Sequence, residues 1–74
     1  MGDRVKRGSD WCWYNQDSNG VGTVTALRLW ARDTDSVVTF DSVQVVWDTG
    51  GGNIYRFGFD GKYDVVVIER KKQQ

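Results

Sequence analysis

Between Trp47 and Asp64 the chain reads Trp-Asp-Thr-Gly-Gly-Gly-Asn-Ile-Tyr-Arg-Phe-Gly-Phe-Asp-Gly-Lys-Tyr-Asp, aromatic residues separated by glycines at short intervals. Glycine reaches backbone angles closed to other residues, so glycines between apolar runs mark tight reversals. Gly50, Gly58 and Gly61 are expected at such corners, and Gly22 at another earlier in the chain. A chain folded back every few residues, with large rings between the corners, is a small β structure. No window of a dozen residues keeps apolar side chains at the i, i+3, i+4, i+7 spacing a helix needs.

Short β-branched runs between turn residues predict five strands, at about 4–7, 22–29, 42–47, 54–57 and 63–69. Gly8-Ser9-Asp10 is a turn, Trp11 to Tyr14 an extended segment, and 15–20 a polar loop. On the second strand both faces are partly apolar, as expected for a strand covered on both sides of a barrel wall. The polar connection 31–41 has an apolar kernel, Val37-Val38-Thr39-Phe40, and reads as a long hairpin loop or an extra short strand. With no proline, every strand residue can donate to a ladder. The fold class expected is all-β: a small SH3-like β-barrel of five to six short antiparallel strands, which leaves few exposed edges.

Seventy-four residues make one domain, 1–74, with a tail from about 71. A chain this short buries only about 60% of its unfolded surface. Cys12 is the only cysteine and there is no histidine, so neither a disulfide framework nor a zinc site is available, and no cofactor is expected. Four tryptophans supply the burial instead. The net charge of zero argues against a dedicated nucleic-acid domain. A basic face would still form if Arg4, Lys6 and Arg7 lay beside Arg70, Lys71 and Lys72.

The longest apolar run, Val65 to Ile68, is far too short to cross a bilayer, and the start lacks the core of a signal peptide. One unpaired cysteine fits a reducing, intracellular compartment, and the cytoplasm is expected. The abrupt start and the polar end at Gln74 suggest a module cut from a larger multidomain protein.

No catalytic constellation is present. Cys12 lacks a histidine base and reads as a packed thiol between indoles. Asp33 and Asp35 do not continue as an EF-hand, which would need glycine at Val38 and glutamate at Gln44. Gly20-Val-Gly22 begins like a dinucleotide fingerprint, but its third glycine and its helix are missing.

Binding remains. On an extended segment Trp11 and Trp13 share one face while Cys12 and Tyr14 take the other. Both indoles belong to the core, or one edge stays at the surface with Tyr14 to hold a peptide. Tyr55 and Arg56 pose the same choice. Arg56 either grips a partner's carboxylate or closes a salt bridge to Asp48 or Asp64. Trp11, Trp13, Tyr14, Tyr55 and Arg56 are therefore the candidate peptide contacts.

Three sets of motifs resemble the Mib/Herc domain of mind bomb and of large HECT-type E3 ubiquitin ligases. Gly2-Asp-Arg4-Val5-Lys-Arg7-Gly8-Ser-Asp10-Trp11-Cys-Trp13-Tyr-Asn-Gln16-Asp17 matches that family's opening pattern at every fixed position. Gly20-Val-Gly22-Thr23-Val24 matches its second motif. Trp47-Asp48-Thr-Gly50, Tyr55-Arg56-Phe-Gly58 and Gly61-Lys-Tyr63-Asp64 match its closing ones. The connection from Leu29 to Ser42 is longer than is usual in the family, and Val65 stands where leucine is commoner.

The resemblance implies an SH3-like barrel. It also implies a non-catalytic module that recruits a protein or peptide substrate, such as a cytoplasmic tail, while other domains of the parent chain deliver ubiquitin. Two alternatives stay open: a chromatin-type reader holding methylated lysine between Tyr14, Tyr55 and Phe59, and a purely structural spacer.

Overall fold

The computed structural model describes residues 1–30 and 40–71. The β-branched runs form five antiparallel strands: β1 (Arg4–Arg7), β2 (Gly22–Arg28), β3 (Ser42–Trp47), β4 (Gly52–Arg56) and β5 (Val65–Glu69). They make one sheet in the order β4-β3-β2-β1-β5. A 3₁₀ turn, Phe59–Gly61, lies between β4 and β5. The expected all-β, SH3-like architecture of short strands is what forms. Most of the 31–41 connection, and with it the choice between loop and extra strand, lies outside the described residues.

β4 and β5 are opposite ends of the sheet yet consecutive in the chain. Their link pulls the two ends together at one corner. Phe57 and Tyr63 form an isolated bridge, Gly58 N–H donates to Lys62 C=O (2.8 Å) and Asp64 N–H donates to Arg56 C=O (2.9 Å). The barrel is thus pinned at this corner and unclosed along the rest of the β4/β5 seam. Gly58 sits here at φ 112, a backbone angle that glycine reaches without a side-chain clash.

Inside the curl lie Val5, Val24, Val43, Val45, Trp47, Tyr55 and Val65, with Trp11, Trp13, Phe57 and Val67 packed against them. Burying one valine side chain stabilises by about 1.5–3 kcal/mol. Several valines around two large rings therefore make a small but dense core.

The structure departs from the sequence expectations in five places, the first being Cys12, which is exposed rather than packed between indoles. The segment from Trp11 to Tyr14 pairs in no strand and bends at Trp13 into a turn, where Gln16 N–H donates to Trp13 C=O (3.2 Å), although the burial of Trp11 and Trp13 against exposed Cys12 and Tyr14 still alternates. The second face of the 22–29 strand is not covered: Leu27 and Leu29 stay half-exposed, beyond a register shift between Val24 and Ala26. The last two strands are displaced by the corner, β4 starting at Gly52 and β5 at Val65.

Gly22, finally, is the first residue of β2 rather than a corner. Its lack of a side chain serves packing. A methyl group there would lie 2.6 Å from both Trp47 Cε3 and Val45 Cγ1.

The chain ends do lie side by side. β1 pairs with β5, and Lys71 N–H donates to Asp3 Oδ1 (2.9 Å). The resulting face is less basic than its composition. Arg4 is bound to Asp48 and Arg7 to Asp17, so much of its positive charge is neutralised within the domain.

Candidate functional site

Four of the five candidate residues surround one buried carboxylate or the ring beneath it. Asp64 is fully buried at the β4/β5 corner. It accepts hydrogen bonds from Arg56 Nη2 (2.7 Å), Arg56 Nε (2.9 Å), the Arg56 backbone N–H (2.9 Å) and Trp13 Nε1 (2.8 Å). Burial is the largest single influence on the Asp64 carboxyl and opposes its ionisation. The donors from Arg56 and Trp13 together outweigh it and hold the pKa below the ordinary value.

Arg56 therefore has its carboxylate within its own chain, and of the two partners expected for it, Asp64 is the one chosen. Its guanidinium also donates to Asp10 C=O (3.3 Å) and lies over the rings of Trp13 (5.6 Å) and Trp30 (5.8 Å). Trp13 and Trp30 are 5.7 Å apart, and Phe59 follows 6.1 Å from Trp30. A cation enclosed by aromatic faces is present here, and that cation is Arg56 itself.

Tyr55 lies beneath this layer, 1% exposed. Trp11 stacks on it at 5.1 Å and Trp47 meets its edge at 5.5 Å. Its hydroxyl accepts from Trp47 Nε1 (3.0 Å) and donates to Gln16 Oε1 (2.8 Å), so both of its polar roles are filled inside the domain. Burial, foremost, raises its pKa above the usual phenol value. The cage of Tyr14, Tyr55 and Phe59 that a methyl-lysine reader would need is not assembled. Tyr55 belongs to the core, and Phe59 packs on Trp30.

Trp11 and Trp13 are half-buried. Trp11 Nε1 donates to Tyr14 C=O (2.8 Å), and Arg7 lies 5.4 Å above the Trp11 ring. Arg7 in turn makes a two-pronged pair with buried Asp17, Nε to Oδ2 (2.8 Å) and Nη2 to Oδ1 (2.7 Å). Arg7's hydrogen bond is the chief reason the Asp17 carboxyl is held below the ordinary range. Tyr14 stands apart. Its ring is 91% exposed, on a backbone at φ 56 that bulky residues seldom adopt.

Sequence reasoning found the aromatic residues and, as one alternative, the Arg56–Asp64 pair, but missed the rest of the polar frame that Arg7, Asp17, Gln16 and Asp64 make: the Arg7–Asp17 pair, the Gln16–Tyr55 bond and the bond from Trp13 to Asp64. It also missed Trp30 as a neighbour of Trp13. The signal was available: all four frame residues are fixed positions in the motifs quoted above, although strand patterning gives no reason for their presence.

The same motifs run through the match to the Mib_herc2 family model, which covers residues 2–69. The chain belongs to the Mib_herc2 family. This Mib_herc2 domain is 39% identical over 71 residues to the E3 ubiquitin-protein ligase mind-bomb of Drosophila melanogaster, covering 96% of this chain. It is 43% identical over 72 residues to the E3 ubiquitin-protein ligase MIB2 of Gallus gallus, and 38% identical over 69 residues to the E3 ubiquitin-protein ligase HERC2 of Mus musculus. Each of those matches covers 93% of this chain. The chain spans only 6%, 7% and 1% of the mind-bomb, MIB2 and HERC2 proteins, respectively. Among the described residues of the Mib_herc2 domain, no helix is long and apolar enough to cross a membrane.

Proposed function

We propose that this domain is a non-catalytic, substrate-recognition module of a cytoplasmic E3 ubiquitin ligase. It holds a segment of the substrate, such as a cytoplasmic tail, while other domains of the parent chain transfer ubiquitin. Relatives of about 40% identity are named as E3 ubiquitin-protein ligases, which supports the setting.

The observation that carries the recognition role is Tyr14. A large aromatic ring projects into solvent from a strained backbone angle, and the Trp11 indole holds that turn in place through the Tyr14 carbonyl. Strain of this kind costs on the order of 1 kcal/mol and persists where a function gains from it. Pre-organised aromatics are also the commonest anchors of protein interfaces. In this reading Tyr14 and the exposed rims of Trp11 and Trp13 touch the partner. Tyr55 and Arg56 fix the rings from below.

The test pans a library of intracellular peptides, cytoplasmic tails included, against the domain, then follows the four indole N–H signals by NMR. Saturable shifts at the Trp11 or Trp13 signal are expected, with affinity in the micromolar range set by the limited area and the ordering of the peptide. Loss of those shifts in Tyr14→Ala completes the case. A library that yields no peptide moving any indole signal favours the spacer reading.

A further inference from the structure

Two dipeptides that take no part in the aromatic face carry chemistry of their own. The sequence holds one Asn-Gly pair, Asn19-Gly20, and one Asp-Gly pair, Asp60-Gly61. In such a pair the glycine backbone nitrogen can attack Cγ of the preceding side chain, because glycine has no side chain to hinder the approach. A nitrogen–Cγ bond forms and closes a five-membered imide, while Asn loses its amide as ammonia and Asp loses water. Water then reopens the ring. Breaking the nitrogen–Cγ bond gives aspartate, whereas breaking the bond from nitrogen to the backbone carbonyl carbon gives isoaspartate, whose main chain runs through the former side chain.

Asn19 and Asp60 are both exposed, so water reaches them. The backbone nonetheless keeps both pairs out of the reacting geometry, and in the same way. Asn19 stands at φ 57, and Asp60 at φ 53 with ψ 29. Left-handed backbone combines positive φ with positive ψ, which turns the next nitrogen to the side of the Cα–C bond away from Cβ. Ring closure needs that nitrogen within about 3–3.5 Å of Cγ. Both nitrogens are also engaged. Gly20 N–H donates to Asp17 C=O (2.9 Å) and Gly61 N–H donates to Gly58 C=O (2.9 Å), so freeing either one means opening its turn.

We propose that Asn19 and Asp60 are latent isoaspartate sites, shielded while the domain is folded and released when it unfolds. Asn19 is the more consequential of the two. Its N–H donates to Asp17 Oδ1 (2.9 Å), Asp17 holds Arg7, and Arg7 lies over the Trp11 ring. Isoaspartate at position 19 adds a methylene to the backbone of the turn and a second carboxylate close to Asp17. Both changes loosen the Arg7–Asp17 pair, so an unfolding event leaves a lasting mark beside the aromatic face. The inference does not depend on the recognition reading.

The test incubates the 74-residue chain at mildly alkaline pH, with and without denaturing urea. Peptide mapping by mass follows deamidation of Asn19. Methylation by a protein-isoaspartate methyltransferase with S-adenosylmethionine reads isoaspartate at both positions. Conversion should be at least about tenfold slower in the folded chain, since it must pass through an opened turn. In urea, Gly20→Ala should suppress conversion of Asn19. Chain carrying isoaspartate at 19, returned to buffer, should melt below Asn19→Asp, which has the added charge without the methylene, and its Trp11 indole N–H signal should be displaced. Equal rates with and without urea overturn the shielding, and no conversion of either residue in urea overturns the sites. Converted chain that keeps the parent's melting temperature and Trp11 signal overturns the link through Asp17.

Discussion

Arg56 engages Asp64 from two directions: its guanidinium and its own backbone N–H both donate to the same buried carboxylate. The pair joins the end of β4 to the residue before β5, at the one corner where the barrel closes. Trp13 hangs its indole N–H on the same oxygen as the backbone amide, so the aromatic layer is oriented by the joint that closes the fold. Scaffold and candidate site share a single anchor.

Asp64→Asn is therefore expected to be costly. Removing one partner of a buried ion pair leaves the other charge uncompensated, a loss of about 3–5 kcal/mol. For a domain of this length that is a large part of the total stability. Asp48→Asn breaks the exposed pair with Arg4, and its effect should be too small to resolve. Urea denaturation of both variants compares them. Equal midpoints would refute the central place given to Asp64.

Acid stability follows from the same groups. Asp17 and Asp64 have folded-state pKa values below the ordinary carboxylate value of about 3.9. A depressed carboxyl contributes stability that is complete above the unfolded-state value and is lost as pH falls through the folded-state value. The melting temperature should stay level from neutral pH to about 5, then fall steeply below about 4. In Asp64→Asn, if enough folded protein remains, the fall should be shallower. A melting temperature that rose on acidification would show that these carboxylates are not held as described.

Strands and corners were legible in the sequence because their causes are local. Val43, Val45 and Trp47 alternate with Gln44, Val46 and Asp48, and β3 forms over the expected residues, Ser42–Trp47. Gly50, Gly58 and Gly61 all take positive φ, as corner glycines should. The polar frame was not legible from patterning. Arg7 meets Asp17, Trp13 meets Asp64 and Tyr55 meets Gln16 across turns whose shape no periodicity encodes. The Trp11–Tyr14 segment was half legible. Alternation gave the burial of its side chains but not its turn.

Gly22 provides a check on packing as opposed to turning. A methyl group there meets the Trp47 ring and a Val45 methyl at 2.6 Å, both in the core and hemmed by other strands. Overpacking of this kind typically costs about 1–3 kcal/mol. Gly22→Ala should lower the melting temperature clearly, whereas Gly20→Ala, with its nearest contact at 3.4 Å, should lower it less. The reverse order would mean that the Trp47 and Val45 side chains yield to the added methyl group and that position 22 is not closely packed.

Tyr14 and Tyr55 separate surface from support. Tyr55→Phe keeps the ring but removes the hydroxyl between Trp47 Nε1 and Gln16 Oε1, leaving a buried indole N–H without its acceptor. An unsatisfied buried donor costs about 1–3 kcal/mol, so this single-atom change should be plainly destabilising. Tyr14→Ala removes a whole ring that is 91% exposed, and its stability should remain within about 0.5 kcal/mol of the parent chain. Relief of the backbone strain at φ 56 in Tyr14→Gly should make that variant slightly more stable than Tyr14→Ala. Thermal melts of the three variants decide the matter. A Tyr14→Ala domain as damaged as Tyr55→Phe would mean that the exposed ring supports the fold, and the argument from its position to a binding role would lose its basis.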